Sequence, residues 1–184
     1  MSGRLMTLNM LLLFLLTSCS AWSGGENTER PPVTVLADGS EIPATVRTAD
    51  DGESDQEDRQ AQYRVLMEQI EEADIPYIRL GETVEIHLGE ENRAHYELTD
   101  VILLPDGSYK YKMPDNGPET VMISEGSGSF ELGMNPAAFL SSNTADYEPG
   151  ATVRGFRLSG LSGGAQQEIF FVLRTDAGSI GPSL

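Results

Sequence analysis

Two histidines and two glutamates in one β-prone stretch could bind a transition metal; they are Glu85, His87, His95 and Glu97. If the strand over 84–88 pairs as a hairpin with the strand over 96–99, their matched apolar faces place His87 opposite Glu97 on the outer face. Imidazole and carboxylate groups are ligands that zinc and other transition metals accept. The spacing predicts a metal site if the two strands are neighbours, and only exposed charged pairs if they lie in different sheets.

The segment Gly160-Leu161-Ser162-Gly163-Gly164 matches Gly-x-Ser-x-Gly, a pattern that presents a nucleophilic serine in many hydrolases. That chemistry needs a strand before the serine, a helix after it and a histidine later in the chain. Here the β-prone run over 168–173 follows the serine, and both histidines precede it. The segment is therefore predicted to form a glycine-rich hairpin turn, and no catalytic residue is assigned.

The only cysteine, Cys19, follows a short apolar segment near the N-terminus. Arg4 and the apolar run over 10–16 have the composition of a secretory signal, and the run is too short to cross a ~30 Å hydrocarbon core as a stable anchor. Leu16-Thr17-Ser18-Cys19 resembles the lipobox of bacterial lipoproteins. The resemblance implies cleavage before Cys19, diacylglycerol attached to its sulfur by a thioether, and acylation of the new amine by a chain such as palmitate.

Charge and composition limit the partners. The 184 residues include 12 basic and 29 acidic side chains, which give a formal net charge of −17. This argues against a nucleic-acid partner and against electrostatic attachment to anionic lipid, so the acyl chains on Cys19 would have to hold the protein on the membrane. The acidic run over 50–58 lacks the ligand spacing of a calcium loop. No phosphate-binding or dinucleotide-binding motif is present, so no cofactor is predicted.

Beyond residue 33 the pattern is that of a mainly β protein. Seven to nine short strands are separated by turn signals such as Asp38-Gly39, which predicts an antiparallel Ig-like β-sandwich. Pro43 favours an edge position for the strand over 42–48 that returns from this first turn. One amphipathic helix over 55–73, introduced by the capping-box pattern Ser54-x-x-Glu57, is predicted as an insertion. The expected organisation is a signal peptide over 1–18, a flexible tether over 19–32 and a single domain over 33–180.

Three segments resemble parts of known β-sandwich proteins. At 80–86 and at 147–153 a glycine turn leads into an alternating strand, and on these segments the stretch over 79–175 resembles Ig-like modules of secreted bacterial proteins. With the hairpin over 38–43, which contains Ile42-Pro43, the mature part is also similar to a group of uncharacterised lipoproteins of Gram-positive bacteria. These resemblances imply a fold and a location but no activity.

Together these observations predict a non-enzymatic, lipid-anchored cell-envelope protein, held on the cell membrane or outer membrane through acylated Cys19. We expect a binding module on the extracytoplasmic face that contacts an envelope protein or a wall component. The contact would use an exposed sheet edge or the loops at 105–107, 114–118 and 141–150. The alternative is an extracytoplasmic hydrolase or metal-binding protein that uses Glu85, His87, His95 and Glu97, which requires those four side chains to converge.

Overall fold

A computed structural model describes residues 33–49, 54–71, 74–89, 94–112 and 118–178. The predicted signal peptide, the tether and Cys19 lie outside the described residues. Within them the strands are β1 (Thr34–Ala37), β2 (Ser40–Ile42), β3 (Ala44–Ala49), β4 (Thr83–His87), β5 (Ala94–Ile102), β6 (Glu119–Ile123), β7 (Ser127–Glu131), β8 (Thr152–Ser162) and β9 (Ala165–Thr175). The α-helix is α1 (Gln56–Gln69), and short 3₁₀ helices cover Pro136–Leu140 and Thr144–Tyr147.

The strands form two antiparallel sheets that enclose a common core. One sheet has the order β2-β1-β4-β7 and the other the order β3-β9-β8-β5-β6. From β4 onward, β4 and β7 lie in the first sheet and β5, β6, β8 and β9 in the second, which is the Greek-key distribution of Ig-like sandwiches. The predicted fold class, a mainly β sandwich with a single helix, is confirmed.

Aromatic side chains from both sheets fill the core. Phe156 and Phe171 stack with ring centroids 5.1 Å apart, and the centroid of Phe130 on the opposite sheet lies 5.7 Å from that of Phe156. Period-two alternation explains this packing, because Phe156 and Leu158 on β8 face inward together with Ile169 and Phe171 on β9. The core therefore lies between the sheets and fixes which face of each strand is available for function.

The first hairpin is tighter than the sequence pattern predicts. Asp38 and Gly39 both have positive φ, 48° and 73°, as a two-residue type I′ turn requires. Only β2 returns beside β1, however, so the prediction of one return strand over 42–48 is wrong. Pro43 cannot donate to a ladder, and the chain crosses there to the other sheet, where β3 pairs with β9. Strands β2 and β3 both lie at sheet edges, as Pro43 indicated.

The longest hairpin joins β8 to β9 and contains the serine motif. Gly163 and Gly164 occupy the turn with φ of 60° and 87°, conformations that L side chains rarely adopt. Ser162 pairs with Ala165 at the end of the ladder. The predicted glycine-rich turn is confirmed, and a strand rather than a helix follows the serine.

Helix α1 covers part of the outer face of the five-stranded sheet. Tyr63 packs edge-on against Phe170 with ring centroids 5.5 Å apart, and Leu66 and Met67 are buried beside it. The helix begins after Asp55, whose Oδ1 accepts from the Asp58 backbone N–H at 2.9 Å. The predicted capping role of Ser54 is therefore wrong, because its hydroxyl instead reaches a buried carboxylate on the sheet.

Helix α1 is also shorter than the predicted span over 55–73. Ile70 has extended backbone angles, φ −117° and ψ 125°, so the helix ends at Gln69. The last turn carries no basic residue that would stabilise the negative end of the helix dipole. Ending the helix there lets Ile75 become buried beside the sheet. Among the described residues, none of the helices has the length and apolar character needed to cross a bilayer.

Candidate binding surface

The four predicted metal ligands lie in two different sheets. Strand β4, with Glu85 and His87, pairs with β1 and β7. Strand β5, with His95 and Glu97, pairs with β6 and β8. The hairpin between 84–88 and 96–99, on which the metal site depended, is therefore not formed, and the alternative of different sheets holds. The chain crosses between the sheets at this point, and the crossing lets both strands turn their apolar faces to the shared core.

The pair Glu85 and His87 has different neighbours from the pair His95 and Glu97. His87 Nδ1 lies 3.0 Å from Ser127 Oγ, and His87 Nε2 lies 3.4 Å from Glu85 Oε2, all at the surface. His95 and Glu97 are exposed on the outer face of the other sheet. Across the described ranges, no three His, Cys, Asp or Glu side chains are grouped so that they could hold a metal ion. The predicted convergence of the four side chains is not found.

A buried carboxylate, Glu168 on β9, organises the outer face beside α1. Its oxygens accept from Arg157 Nη1 at 2.9 Å, Arg47 Nη1 at 2.8 Å and Ser54 Oγ at 2.7 Å. Burial favours a raised pKa for Glu168, but these hydrogen bonds and the charge of Arg157 hold its pKa below the ordinary value. Because its partners are all internal, this carboxylate fastens the start of α1 to the sheet rather than facing a ligand.

The strand directions give the sandwich two distinct ends. The chain enters at Val33, and Thr34 pairs with His87, which pairs in turn with Ser127 beside the β6–β7 turn. The opposite end, called here the far end, contains the Asp38-Gly39 turn and the long connection over 132–151 from β7 to β8. A ligand-binding surface at the far end would be directed away from the N-terminal attachment of the domain.

The connection over 132–151 is ordered by its own polar side chains. Asn135 directly before Pro136 is a sequence pattern that predicts a capped, short helical turn over 136–140. Its Oδ1 accepts from the Ala137 N–H at 2.9 Å, and the 3₁₀ helix Pro136–Leu140 follows. The Tyr147 hydroxyl donates to the Ser141 carbonyl at 2.7 Å. A second 3₁₀ helix, capped by Asn143, was not predicted, although an asparagine before Thr-Ala-Asp is a recognisable capping signal.

Asp146 ties this connection to the body of the domain. Its carboxylate accepts from Lys110 Nζ at 2.5 Å and from the Ser141 hydroxyl. The hydrogen bond from Lys110, followed by that from Ser141, holds the pKa of Asp146 below its ordinary value. Further along, Asp176 Oδ1 accepts from the Gly150 N–H at 3.0 Å. The long connection is therefore a defined surface.

Large apolar side chains project from this ordered connection into solvent. The exposed fractions are 56% for Met134, 51% for Phe139, 55% for Leu140 and 43% for Tyr147. Single exposed apolar residues are common on soluble proteins, but four large ones within residues 134–147 of one ordered connection make it a candidate contact surface. The loop over 141–150 was a candidate from the sequence, whereas Met134, Phe139 and Leu140 were missed. The signal that could have found them is the presence of large apolar residues in a polar connection, at spacings that match neither a strand nor a helix.

A cleft of about 440 Å³ adjoins this surface. Its lining includes Met134 and Pro136 as well as the buried residues Leu98, Phe130 and Phe156. Four charged residues also line it: Asp100, Glu119, Glu131 and Arg154. The far end thus combines an exposed apolar surface with a concave site.

The other two predicted loops, at 105–107 and 114–118, differ from the loop at 141–150. The turn at 105–107 packs against the helix, since a Cβ added at Gly107 would lie 2.7 Å from the backbone nitrogen of Arg64. It supports α1 and is partly covered. Residues 114–117 of the third loop lie outside the described residues.

Comparison with known proteins gives no assignment. No protein-family model matches the chain, and no curated protein is significantly similar to it.

Proposed function

We propose that this protein is a non-enzymatic, lipid-anchored binding module of the bacterial cell envelope. Acylated Cys19 attaches it to the cell membrane or outer membrane, and the far end binds an envelope protein or a wall component. The observation that carries the proposal is the exposed apolar surface formed by Met134, Phe139, Leu140 and Tyr147 on an ordered connection.

The location of that surface supports the proposal. The domain begins at Val33, and the connection over 132–151 lies at the opposite end of the strands. A fully extended chain from Cys19 to Val33 could span at most about 50 Å. This length limits how far from the membrane the far end can reach a partner. A strongly acidic body is also repelled by an anionic leaflet, which favours a surface directed away from the lipid.

Cross-linking in intact cells tests the binding surface. A photo-reactive amino acid at the exposed position 142, beside the apolar residues, should capture a discrete partner that is identified by mass spectrometry. Changing Phe139→Ser and Leu140→Ser together should remove most of the captured partner, because apolar anchors supply most of the binding energy in small contacts.

Leu161→Ser is the matched control for this experiment. Leu161 is 63% exposed, but it lies on the β8–β9 hairpin at the other end of the sandwich. The control should retain the captured partner. Equal capture by the wild type and the double variant, or capture of no discrete partner at native expression, would refute the proposed binding surface.

A further inference from the structure

The hairpin of β6 and β7 is closed at its turn and open at its other end. A Cβ added at Gly128 would lie 2.7 Å from the Met122 carbonyl oxygen, so the strands are in close contact beside the turn. Further along, β6 is an edge of the five-stranded sheet and β7 an edge of the four-stranded sheet. The cleft of about 440 Å³ lies at this open end, since its lining includes Glu119 and Glu131, the strand residues farthest from the turn.

The hydrogen bonds around β7 show which of its backbone groups are used by β4. The Leu88 N–H donates to the Gly126 carbonyl, and the Leu132 N–H donates to the Glu82 carbonyl, both at 2.8 Å. Residues 126 and 132 therefore face β4, and so do residues 128 and 130, because the direction alternates along an antiparallel ladder. The backbone groups of the odd-numbered residues point to the opposite side, along the free edge of the sheet.

Two residues of this edge have unused backbone groups. Ser127 is bonded through its N–H and its carbonyl to Ser124 in the turn. The N–H and C=O groups of Ser129 and Glu131 point outward, and no hydrogen bond connects them to another residue in the described part of the chain. Donors and acceptors in this arrangement are a template for an additional β-strand.

An antiparallel strand added to this edge would also place a side chain in the cleft. Phe130 is buried and has the inward phase, whereas Ser129 and Glu131 have the outward phase. Residues directly opposite each other in an antiparallel pair project to the same face of the sheet, so the residue opposite Phe130 points inward. This edge therefore offers a side-chain site as well as backbone hydrogen bonds.

The lining of the cleft favours an aliphatic side chain. It includes the buried residues Leu98, Phe130 and Phe156. Arg154 Nε donates to Asp100 Oδ1 at 3.1 Å, so these two charges balance each other within the protein. The volume accommodates one long side chain, and an aliphatic group there gains from burial against its apolar neighbours.

We propose that β7 binds an extended peptide segment of the partner as an additional antiparallel strand, with one aliphatic side chain in the cleft. The antiparallel orientation matches every ladder between the described strands and gives the stronger pairing per residue. This inference rests on the proposed function, because the peptide belongs to the partner bound at the far end. Met134 belongs to the exposed apolar surface and also lines the cleft, so the two contacts are continuous.

Methionine methyl NMR on the purified protein tests this strand addition. The probe is a capped Thr-Thr-Leu-Thr-Thr peptide, added to protein labelled at the methionine methyl groups. The Met134 methyl should shift with saturation at millimolar peptide, whereas the exposed Met122 methyl on the outer face of β6 should not. Serine in place of the leucine should weaken binding about fivefold or more, because the aliphatic contact is lost.

N-methylation of single peptide amides tests the hydrogen-bond pattern on the wild-type protein. With the leucine opposite Phe130, the threonines on either side of it lie opposite Ser129 and Glu131 and direct their N–H groups at β7. A methyl group on either of these nitrogens should weaken binding about fivefold or more, because a hydrogen bond is lost. A methyl group on the leucine nitrogen is the matched control and should change the affinity less than about twofold, since that N–H points away from β7.

Ser129→Pro tests the same edge from the protein side. Proline removes an N–H that β4 does not use, so the sheet is retained while the added strand loses a donor and should bind about fivefold more weakly. Glu41→Pro on β2, the other edge of this sheet, is the matched control. Ala37 and Ser40 pair across a two-residue turn, so the Glu41 N–H also points outward, and the control should keep wild-type affinity.

An unshifted Met134 methyl, equal affinity for all the N-methylated peptides, or wild-type affinity in folded Ser129→Pro would overturn the proposal. If Ser129→Pro does not fold, the N-methyl series decides alone. The proposed function fails differently. If the far end binds its partner without strand addition, cross-linking at position 142 persists while the peptide titration is negative. If β7 binds the peptide but the apolar surface has no role, Phe139→Ser with Leu140→Ser retains the cross-linked partner.

Discussion

Ser54 Oγ donates a 2.7 Å hydrogen bond to Oε1 of Glu168, a carboxylate with 0% exposed surface on the central part of β9. The same Oε1 accepts from Arg157, which is itself buried, and Oε2 accepts from Arg47 on the edge strand β3. One side chain thus connects the start of α1 to three strands of the sheet.

Replacing Glu168 with glutamine should destabilise the domain strongly. The change leaves the buried Arg157 guanidinium without its counter-charge, and breaking a buried ion pair on one side costs about 3–5 kcal/mol. Urea unfolding followed by circular dichroism measures the loss. Ser54→Ala removes one hydrogen bond to the same carboxylate and should cost only about 1–2 kcal/mol. Equal midpoints for the wild type and Glu168→Gln would contradict the assigned role.

The stabilising effect of the Glu168 carboxylate should also be visible in the pH dependence of stability. The folded-state pKa of Glu168 lies below its ordinary value of 4.5, so its contribution is fully present above that pH. As pH falls below 4.5 and through the folded-state pKa, the carboxylate is protonated and the stabilisation is lost. Asp146 has a lowered pKa as well and acts in the same direction. As the pH is lowered from 7 to 3, the midpoint temperature of thermal unfolding should therefore fall less steeply in Glu168→Gln than in the wild type.

Gly155 should not tolerate even a methyl group. A Cβ at this position on β8 would lie 2.7 Å from Cε1 of Tyr63 and 2.8 Å from Cδ1 of Leu103, beneath α1. Overpacking of this kind costs about 1–3 kcal/mol, so Gly155→Ala should lower the urea midpoint. Gly133→Ala is the control, because nothing lies within 4 Å of an added Cβ there. A lowered urea midpoint for Gly133→Ala together with a wild-type midpoint for Gly155→Ala would contradict this prediction.

Mass spectrometry of the membrane-purified protein tests the anchor. The wild type should have lost residues 1–18 and should carry the mass of a diacylglycerol and an amide-linked acyl chain on Cys19. Cys19→Ala should lose both the lipid and the membrane retention, because two or three acyl chains account for stable anchoring. A soluble mature protein with a free thiol would remove the basis of the envelope location.

Local signals in the sequence predicted local structure well. Asp38-Gly39 and Gly163-Gly164 specify tight turns through backbone angles that few other residues adopt, and both turns occur as expected. Asn135 predicted its 3₁₀ helix for the same reason, because a cap depends on neighbours two or three residues away.

Pairing between distant segments could not be predicted in the same way. The strands bearing His87 and Glu97 are close in sequence, yet each buries its apolar face equally well with a different neighbour, and the Greek key separates them. Likewise, the run around Glu168 is recognisably a buried strand, but its partners Arg47, Ser54 and Arg157 come from distant positions. Asp100 on β5 and Glu119 on β6 share the alternation phase of the buried residues Leu98 and Val121, and this break in the apolar pattern was missed.

The crossing at Pro43 also bears on solubility. Ile169 to Leu173 on β9 form an uninterrupted, fully buried apolar run, Ile-Phe-Phe-Val-Leu, of the composition that drives intermolecular β-aggregation when its edge is open. The segment that crosses at Pro43 becomes β3 and occupies that edge, pairing Ala44 with Phe171 and Val46 with Ile169. The short polar strand thus shields β9 from other copies of the chain, a protection that would be lost if β3 detached.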